Sequence, residues 1–473
     1  MSAEVRASPP RGRWRVSSLR AGPNPRRRTE LGLLVYAAVV TCALYVIASL
    51  AQKSHIPPHI GPFLGIVLGL ALVAHMGNRW MAPNSNPVLL PLVFLLNGIG
   101  YVVIARWDPG SAKVQAGWTA LGIVIYLLTL LFVRRSRDLE RYRYLLLLVG
   151  GILLVAPLIP GLGQEVNGAR LWVGVGSLIV QPIEGAKILI CIYFASYFAA
   201  NKEILSIPTA RVANRLFLDP RPLVPILVAW LASIAVIGVE NDIAFALLLF
   251  TLFIGLLWIT TGRIGYLVVG LAMFVGGAVV ASHLFSQVHE RVLIWFNAGK
   301  YPTGNGYQLV ESWYSLAAGG IGGTGLGRGL SGTYLQHYVI SDLVFTSIGE
   351  EMGLIGAAAV VVAFVLLVGS GLRVAQTARS DFSRLLATGL TLLLGFQAFF
   401  VMAGILRLLP FTGITLPFVA YGGSSLLANY ALIAVLMRIS DEGAPTAAEQ
   451  RSGLRQPGDS PLVPLDPGQP ARR

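Results

Sequence analysis

Five short stretches hold most of the side chains able to do chemistry in this 473-residue sequence. Asp342 stands where a glycine-rich segment runs into a long apolar one (SGTYLQHYVISDLVFTSIGEEMGLIG). A carboxylate there suits either a general base or a helix N-cap, and Ser341 is an equal candidate for the cap. In QPIEGAK, Pro182 fits a first helical turn, and Gln181, Glu184 and Lys187 recur at spacing three, so they share one face. That face is either an ion pair that eases insertion or the polar wall of a substrate cavity. Arg170, a little upstream, suits an anionic headgroup. ENDI, residues 240–243, is a short connection expected to leave Glu240 and Asp242 at the surface. The segment AAGGIGGTGLGRGLSG, residues 317–332, offers amides that approach a phosphate closely, with Arg328 among them. It lacks the Lys-Ser/Thr pair of a nucleotide loop, so a tight re-entrant or interfacial turn is expected. LPFVAYGGSSLLANY, residues 416–430, has Pro417 as an expected helix start. Its Gly422-Gly423-Ser424-Ser425 run is a small-residue surface suited to helix packing, or to lining a cavity together with Tyr421.

These residues sit in a chain built for a bilayer. It is 55% hydrophobic and 12% charged, with a mean hydropathy of +0.69; soluble domains carry about 25% charge. The net charge of +14 does not indicate nucleic acid, because the basic residues lie in tails and short loops between apolar runs and read as topology signals. Cys42 and Cys191 lie inside apolar runs, and neither they nor the histidines form a metal motif.

A helix needs about 20 apolar residues to cross the hydrocarbon core. Such runs occur near 31–51, 60–77, 86–105, 116–133, 144–160, 182–200, 222–238, 243–260, 264–285, 343–372, 385–409 and 416–438, predicting an all-α polytopic protein of about 12 transmembrane helices. The Arg and Lys distribution places both termini in the cytoplasm and all five stretches on or near the extracytoplasmic face. Residues 1–29 form an Arg-rich tail and 441–473 a Pro- and Gly-rich one, both expected to be disordered. Residues 161–181 and 286–342 read as long extracytoplasmic loops, the second rich in Trp and Tyr. The apolar run after Asp342 is longer than a bilayer requires, so its first turns, with Glu350 and Glu351, are expected to project outward or to face a wet cavity.

The order of NGARLWVGVG, QPIEGAK, ERVLIWFNA with GNGYQLVES, GGIGGTGLGRG, SDLVFTSIGEEMGLIG and LPFVAYGGSS resembles the SEDS family, the RodA- and FtsW-like proteins, over residues 86–440. The resemblance implies a ten-helix bundle, here preceded by two extra N-terminal spans within residues 30–80. It implies a peptidoglycan glycosyltransferase of the bacterial plasma membrane that polymerises lipid II, releases undecaprenyl diphosphate and works with a class B penicillin-binding protein. Asp342 in Ser-Asp-Leu-Val-Phe takes the place of the family's essential Asp. Gln181, Pro182, Glu184 and Lys187 match its Gln-Pro-Ser-Glu…Lys, with Ile183 for Ser, and Arg170 matches its Arg before Trp. Asp242 is retained from the family's Pro-Asp-Leu-Gly-Thr-Ser, while the small polar residues after it are replaced. Ile340 stands where the family has His. On this reading Asp342 is the base of an inverting transfer. Arg170 is the first candidate to meet the diphosphate, and Arg291, Lys187 or a divalent Mg or Mn ion are alternatives; Tyr421 and Ser424 line the substrate side. A lipid II flippase or other transporter, or a non-catalytic scaffold for the penicillin-binding protein, are the competing classes. The overall look of the resemblance, rather than any one motif, leans to the elongation type over the division type.

Overall fold

The computed structural model describes residues 25–445, apart from 54–59, 167–168, 176–177, 207–209, 213–214, most of 218–241, and 305. Long apolar runs can satisfy their backbone in a bilayer only as helices, and helices dominate. In order they are α1 (Pro25–Lys53), α2 (Ile60–Met81), α3 (Leu89–Trp107), α4 (Pro109–Phe132), a short α5 (Ser136–Arg141) and α6 (Arg143–Val155). After these come α7 (Ile183–Ala200), a short α8 (Lys202–Ser206), α9 (Ile243–Thr261), α10 (Ile264–Leu284), α11 (Ser286–Asn297), α12 (Tyr307–Gly319) and a short α13 (Ser331–Leu335). The chain closes with α14 (Val344–Thr377), α15 (Asp381–Ile405) and α16 (Gly423–Gly443). Among the described residues, nine helices are long and apolar enough to cross a membrane. Together with α2 and the shorter α6 they account for every expected run except that near 222–238, which falls almost wholly outside the described residues.

Several expectations are corrected. Residues 25–29 belong to α1 and residues 441–443 to α16, so neither short stretch is part of a tail; residues 1–24 and 446–473 lie outside the described residues. The 161–181 segment holds an antiparallel three-stranded sheet of β1 (Gly163–Val166), β2 (Ala169–Val175) and β3 (Leu178–Val180), with Val166 opposite Ala169 and Val173 opposite Val180. The 286–342 segment is largely helical, through α11, α12 and α13, rather than an open loop. The last span does not start at Pro417. Residues 411–422 are non-helical, and α16 opens at Gly423, where a side chain would strike the Trp118 ring. That close seat is the small-residue packing expected for Gly422–Ser425.

The end of the bundle far from Asp342 is tied by polar side chains. Glu30 meets Arg27, His75 and Asn78 from α1 and α2, and Asn78 accepts from Tyr126 of α4. Arg438 of α16 donates to the carbonyls of Val133, Met81 and Leu130 at 2.5–2.7 Å. The two N-terminal helices are thus joined to the bundle. At mid-depth Thr41 of α1 packs directly on Gly98 of α3, a close approach that a small residue permits.

Candidate active site

At the opposite end, three separated stretches bring charge together. Asp242 begins α9. Its Oδ1 accepts from Phe245 N at 2.9 Å, the N-cap geometry, and it is only 9% exposed. Both acids of ENDI were expected at the surface; Asp242 is instead buried, because capping α9 draws it under the bundle's end, and Glu240 lies outside the described residues. Arg291 comes from the amphipathic α11 and donates from Nη1 to Phe411 O at 2.8 Å. Asp342 precedes α14. The field of the Arg291 guanidinium reaches both carboxylates.

Asp342 does not cap its helix. The cap position falls to Leu343 with no side-chain bond, and the Asp342 carboxylate accepts no hydrogen bond among the described residues. Burial pushes its pKa up to about 7, against the pull of Arg291. Burial raises Asp242 above the usual carboxylate range as well, opposed by its amide contact to Phe245 and by Arg291. Arg291 itself is drawn below its usual range by burial, and the two aspartates push back.

Gly413 lies directly against this cluster. A β-carbon placed on it would stand 3.6 Å from both terminal nitrogens of Arg291 and 3.9 Å from Asp342 Oδ2. Its φ of +71° is a conformation glycine adopts without penalty.

The QPIEGAK wall lies alongside. Pro182 occupies the N-cap position of α7, and Glu184 and Lys187 form a buried ion pair, Lys187 being 3% exposed. Lys187 Nζ also donates to Gln397 Oε1 at 2.7 Å, and Gln397 Nε2 passes the contact on to Thr415 O at 3.0 Å. Gln181 precedes the helix rather than sharing its face; its backbone N–H donates to Ser424 Oγ at 2.9 Å. Tyr421 N donates to Ile340 O at 2.8 Å, and its ring meets the edge of His337. Both contacts fix the 416–422 segment against the approach to Asp342. Arg170 is on β2, and its side chain lies outside the described residues.

The glycine-rich stretch turns out differently from the phosphate cradle weighed above. Its amides are already used by the chain's own acids. Glu351 accepts from Gly327 N at 2.9 Å and Gly329 N at 3.3 Å, and Glu350 from Leu330 N at 2.8 Å and Ser331 N at 2.9 Å. Arg106 pairs with Glu351 at 3.4 Å. Glu350 and Glu351, 3% and 4% exposed, therefore neither project outward nor face water. A turn of non-helical backbone at Gly353 lets them reach the loop.

Sequence reasoning missed Gln397 and Gly413. Gln397 was visible as a lone amide in an apolar span, LLLGFQAFF, which marks a functional position by default. Arg407, inside the expected 385–409 run, sits past the end of α15 and is exposed, because that helix stops at Ile405. Among the described residues no three His, Cys, Asp or Glu side chains are grouped to hold a metal ion.

A family model described as "Cell cycle protein" (FTSW_RODA_SPOVE) matches residues 88–444. The peptidoglycan glycosyltransferase RodA of Mycobacterium tuberculosis is 38% identical over 426 residues, covering 88% of this chain and 90% of that protein. The probable peptidoglycan glycosyltransferase FtsW of the same organism is 31% identical over 401 residues, covering 80% and 74%. A chain from the solved structure titled "Structural coordination of polymerization and crosslinking by a peptidoglycan synthase complex" superposes with a TM-score of 0.59 at 25% identity, over 76% of this chain and 99% of that one.

Proposed function

The chain belongs to the FtsW/RodA/SpoVE family of cell cycle proteins, it is a multi-pass membrane peptidoglycan glycosyltransferase, and we propose that its catalysis is organised around Asp342. The substrate on this reading is lipid II. Asp342 takes the proton of the acceptor sugar's 4-hydroxyl as that oxygen attacks the anomeric carbon of the donor. The bond from that carbon to the diphosphate breaks, and the diphosphate-lipid leaves with the electron pair. Attack opposite the leaving group inverts the configuration. The observation that carries this role is a half-buried carboxylate with no hydrogen-bond donor among the described residues, beside a guanidinium and against Gly413. An unsatisfied carboxylate poised near neutral pH is what a general base requires.

Arg291 holds the carboxylate ready without quenching it, and it is a cation close to the reacting carbon. Lys187 is committed to Glu184 and Gln397, so its charge orders the wall rather than meeting the diphosphate. Arg170 remains the candidate for the leaving group. The end bearing Asp342 faces outward, because Arg134, Arg135, Arg137, Arg141, Arg379 and Arg384 gather at the other end and favour the cytoplasm. A class B penicillin-binding protein is the proposed partner, supported by the fold shared with a chain of a peptidoglycan synthase complex. Greater identity to a RodA than to an FtsW supports elongation.

The test is polymerisation of labelled lipid II by the purified full chain, alone and with the partner. Wild type should form glycan, and Asp342→Ala should lose about 10²–10⁴-fold. Near wild-type polymer from a folded Asp342→Ala protein removes the base assignment. Lipid II crossing vesicles without any polymer favours the flippase instead.

A further inference from the structure

The non-helical stretch between α15 and α16 is held at two points. Phe411 O is taken by Arg291, and Thr415 O by Gln397. Between them, the backbone N–H and C=O groups of Thr412, Gly413 and Ile414 have no hydrogen-bond partner among the described residues. Thr412 is buried, 7% exposed, and its hydroxyl is unpaired too. More than nine in ten buried backbone polar groups in folded proteins are paired. Three successive residues without partners, Thr412 buried and Gly413 and Ile414 half-buried, with Gly413 against Arg291 and Asp342, mark a surface suited to a ligand. These peptide units offer donors and acceptors, and a secondary amide carries an acceptor for the one and a donor for the other.

We propose that Thr412–Ile414 is a substrate subsite that reads a secondary amide and thereby sets the acceptor hydroxyl against Asp342, an assignment that rests on the glycosyltransferase reading above. On a lipid-linked disaccharide-pentapeptide that amide comes either from the acetamido group of a sugar or from the peptide. A side chain on Gly413 would enter the same space, 3.6 Å from the guanidinium.

The wild-type full chain is reconstituted and assayed with three probes: lipid II, lipid II with a free amine in place of each acetamide, and the lipid-linked disaccharide without its peptide. One of the two analogues should lose about tenfold or more in kcat/KM, chiefly through KM, the loss expected when a buried polar subsite is left unanswered. The same pair of measurements on Gly413→Ala and, independently, on Thr412→Val should show that penalty shrink to less than about threefold, because the partner surface is already lost. If both analogues match lipid II on the wild type, or if the penalty is unchanged in both variants, the subsite is wrong while the transferase reading stands. Failure of wild type to polymerise lipid II at all overturns the transferase reading, and this assignment with it.

Discussion

Asp342→Asn separates catalysis from stability at one atom. The substitution keeps the shape and removes the charge. Loss of a general base lowers the rate by about 10²–10⁴-fold, which corresponds to about 3–5 kcal/mol of transition-state stabilisation. The stability change has the opposite sign. Burial lifts Asp342 from 3.8 to about 7, so the folded protein holds that proton more tightly than the unfolded chain does. A raised carboxylate contributes its full stability below about pH 4, and loses it as pH rises through about 7. The lift corresponds to at most about 4 kcal/mol. Asp342 keeps some contact with solvent, which returns part of that cost, and about 1–2 kcal/mol is expected to remain. Asp342→Asn should therefore unfold at a higher temperature than wild type at pH 8.5, by about 1–3 °C in a chain of this size. The gap should close as pH falls to 5 and below. Thermal unfolding of the purified proteins across pH 4.5–8.5, run beside the polymerisation assay, measures both. A difference in midpoint that does not vary with pH, or a variant within tenfold of the wild-type rate, refutes the picture of a desolvated base.

Arg291→Ala removes the cation that lowers Asp342 and also releases Phe411 O. The acid limb of the pH–rate profile should move above pH 7, with a loss of about 10–100-fold at neutral pH from a base left protonated and displaced. Lys187→Ala leaves Glu184 buried beside a lost partner, so about 3–5 kcal/mol of stability should go; adding Glu184→Gln should restore most of the unfolding midpoint, and no recovery would show that the pair is not what the wall depends on. Glu351→Ala frees Gly327 and Gly329 and strips Arg106 of a partner. Amides 320–331 should then exchange with solvent at least tenfold faster, the response expected for two lost charge-assisted bonds of about 1.5–3 kcal/mol each.

The spans were legible because an apolar run of bilayer length needs no knowledge of its neighbours. Their ends were not. Leu416–Ala420 is as apolar as a span, yet it is non-helical, and only the Trp118 ring on Gly423 and the Tyr421–Ile340 bond show where α16 must start. The 286–342 segment passed for a loop because α11 and α12 are amphipathic, invisible to an average over hydropathy but present as helical periodicity in HERVLIWF. The sheet before α7 had its signal in Asn167-Gly168, a hairpin dipeptide between alternating residues. The meeting of Asp242, Arg291 and Asp342 had no sequence signal, since three elements far apart in the chain supply them. Family resemblance pointed to two of those positions and gave Arg291 only as an alternative; the packing of α11 against 411–415 gives Arg291 its place.

Three carboxylates stand within one short reach of chain around the start of α14, and their partners sort their roles. Glu350 and Glu351 accept four amides from the glycine-rich stretch, and Glu351 adds Arg106. Each of their four oxygens is already taken by a donor of the chain, which leaves none turned to a substrate hydroxyl. Asp342 accepts none among the described residues, and its one described neighbour of opposite charge is shared with Asp242. The glycine-rich stretch is thus spent on holding α14 and the 327–331 turn together, which fixes where α14 begins and so where Asp342 stands. A protein that used those amides for the diphosphate would have to release Glu350 and Glu351 into an apolar surrounding, at a cost no single phosphate contact offsets. The division of labour follows: two acids fasten the scaffold, and the third, left without donors, is free to take a proton.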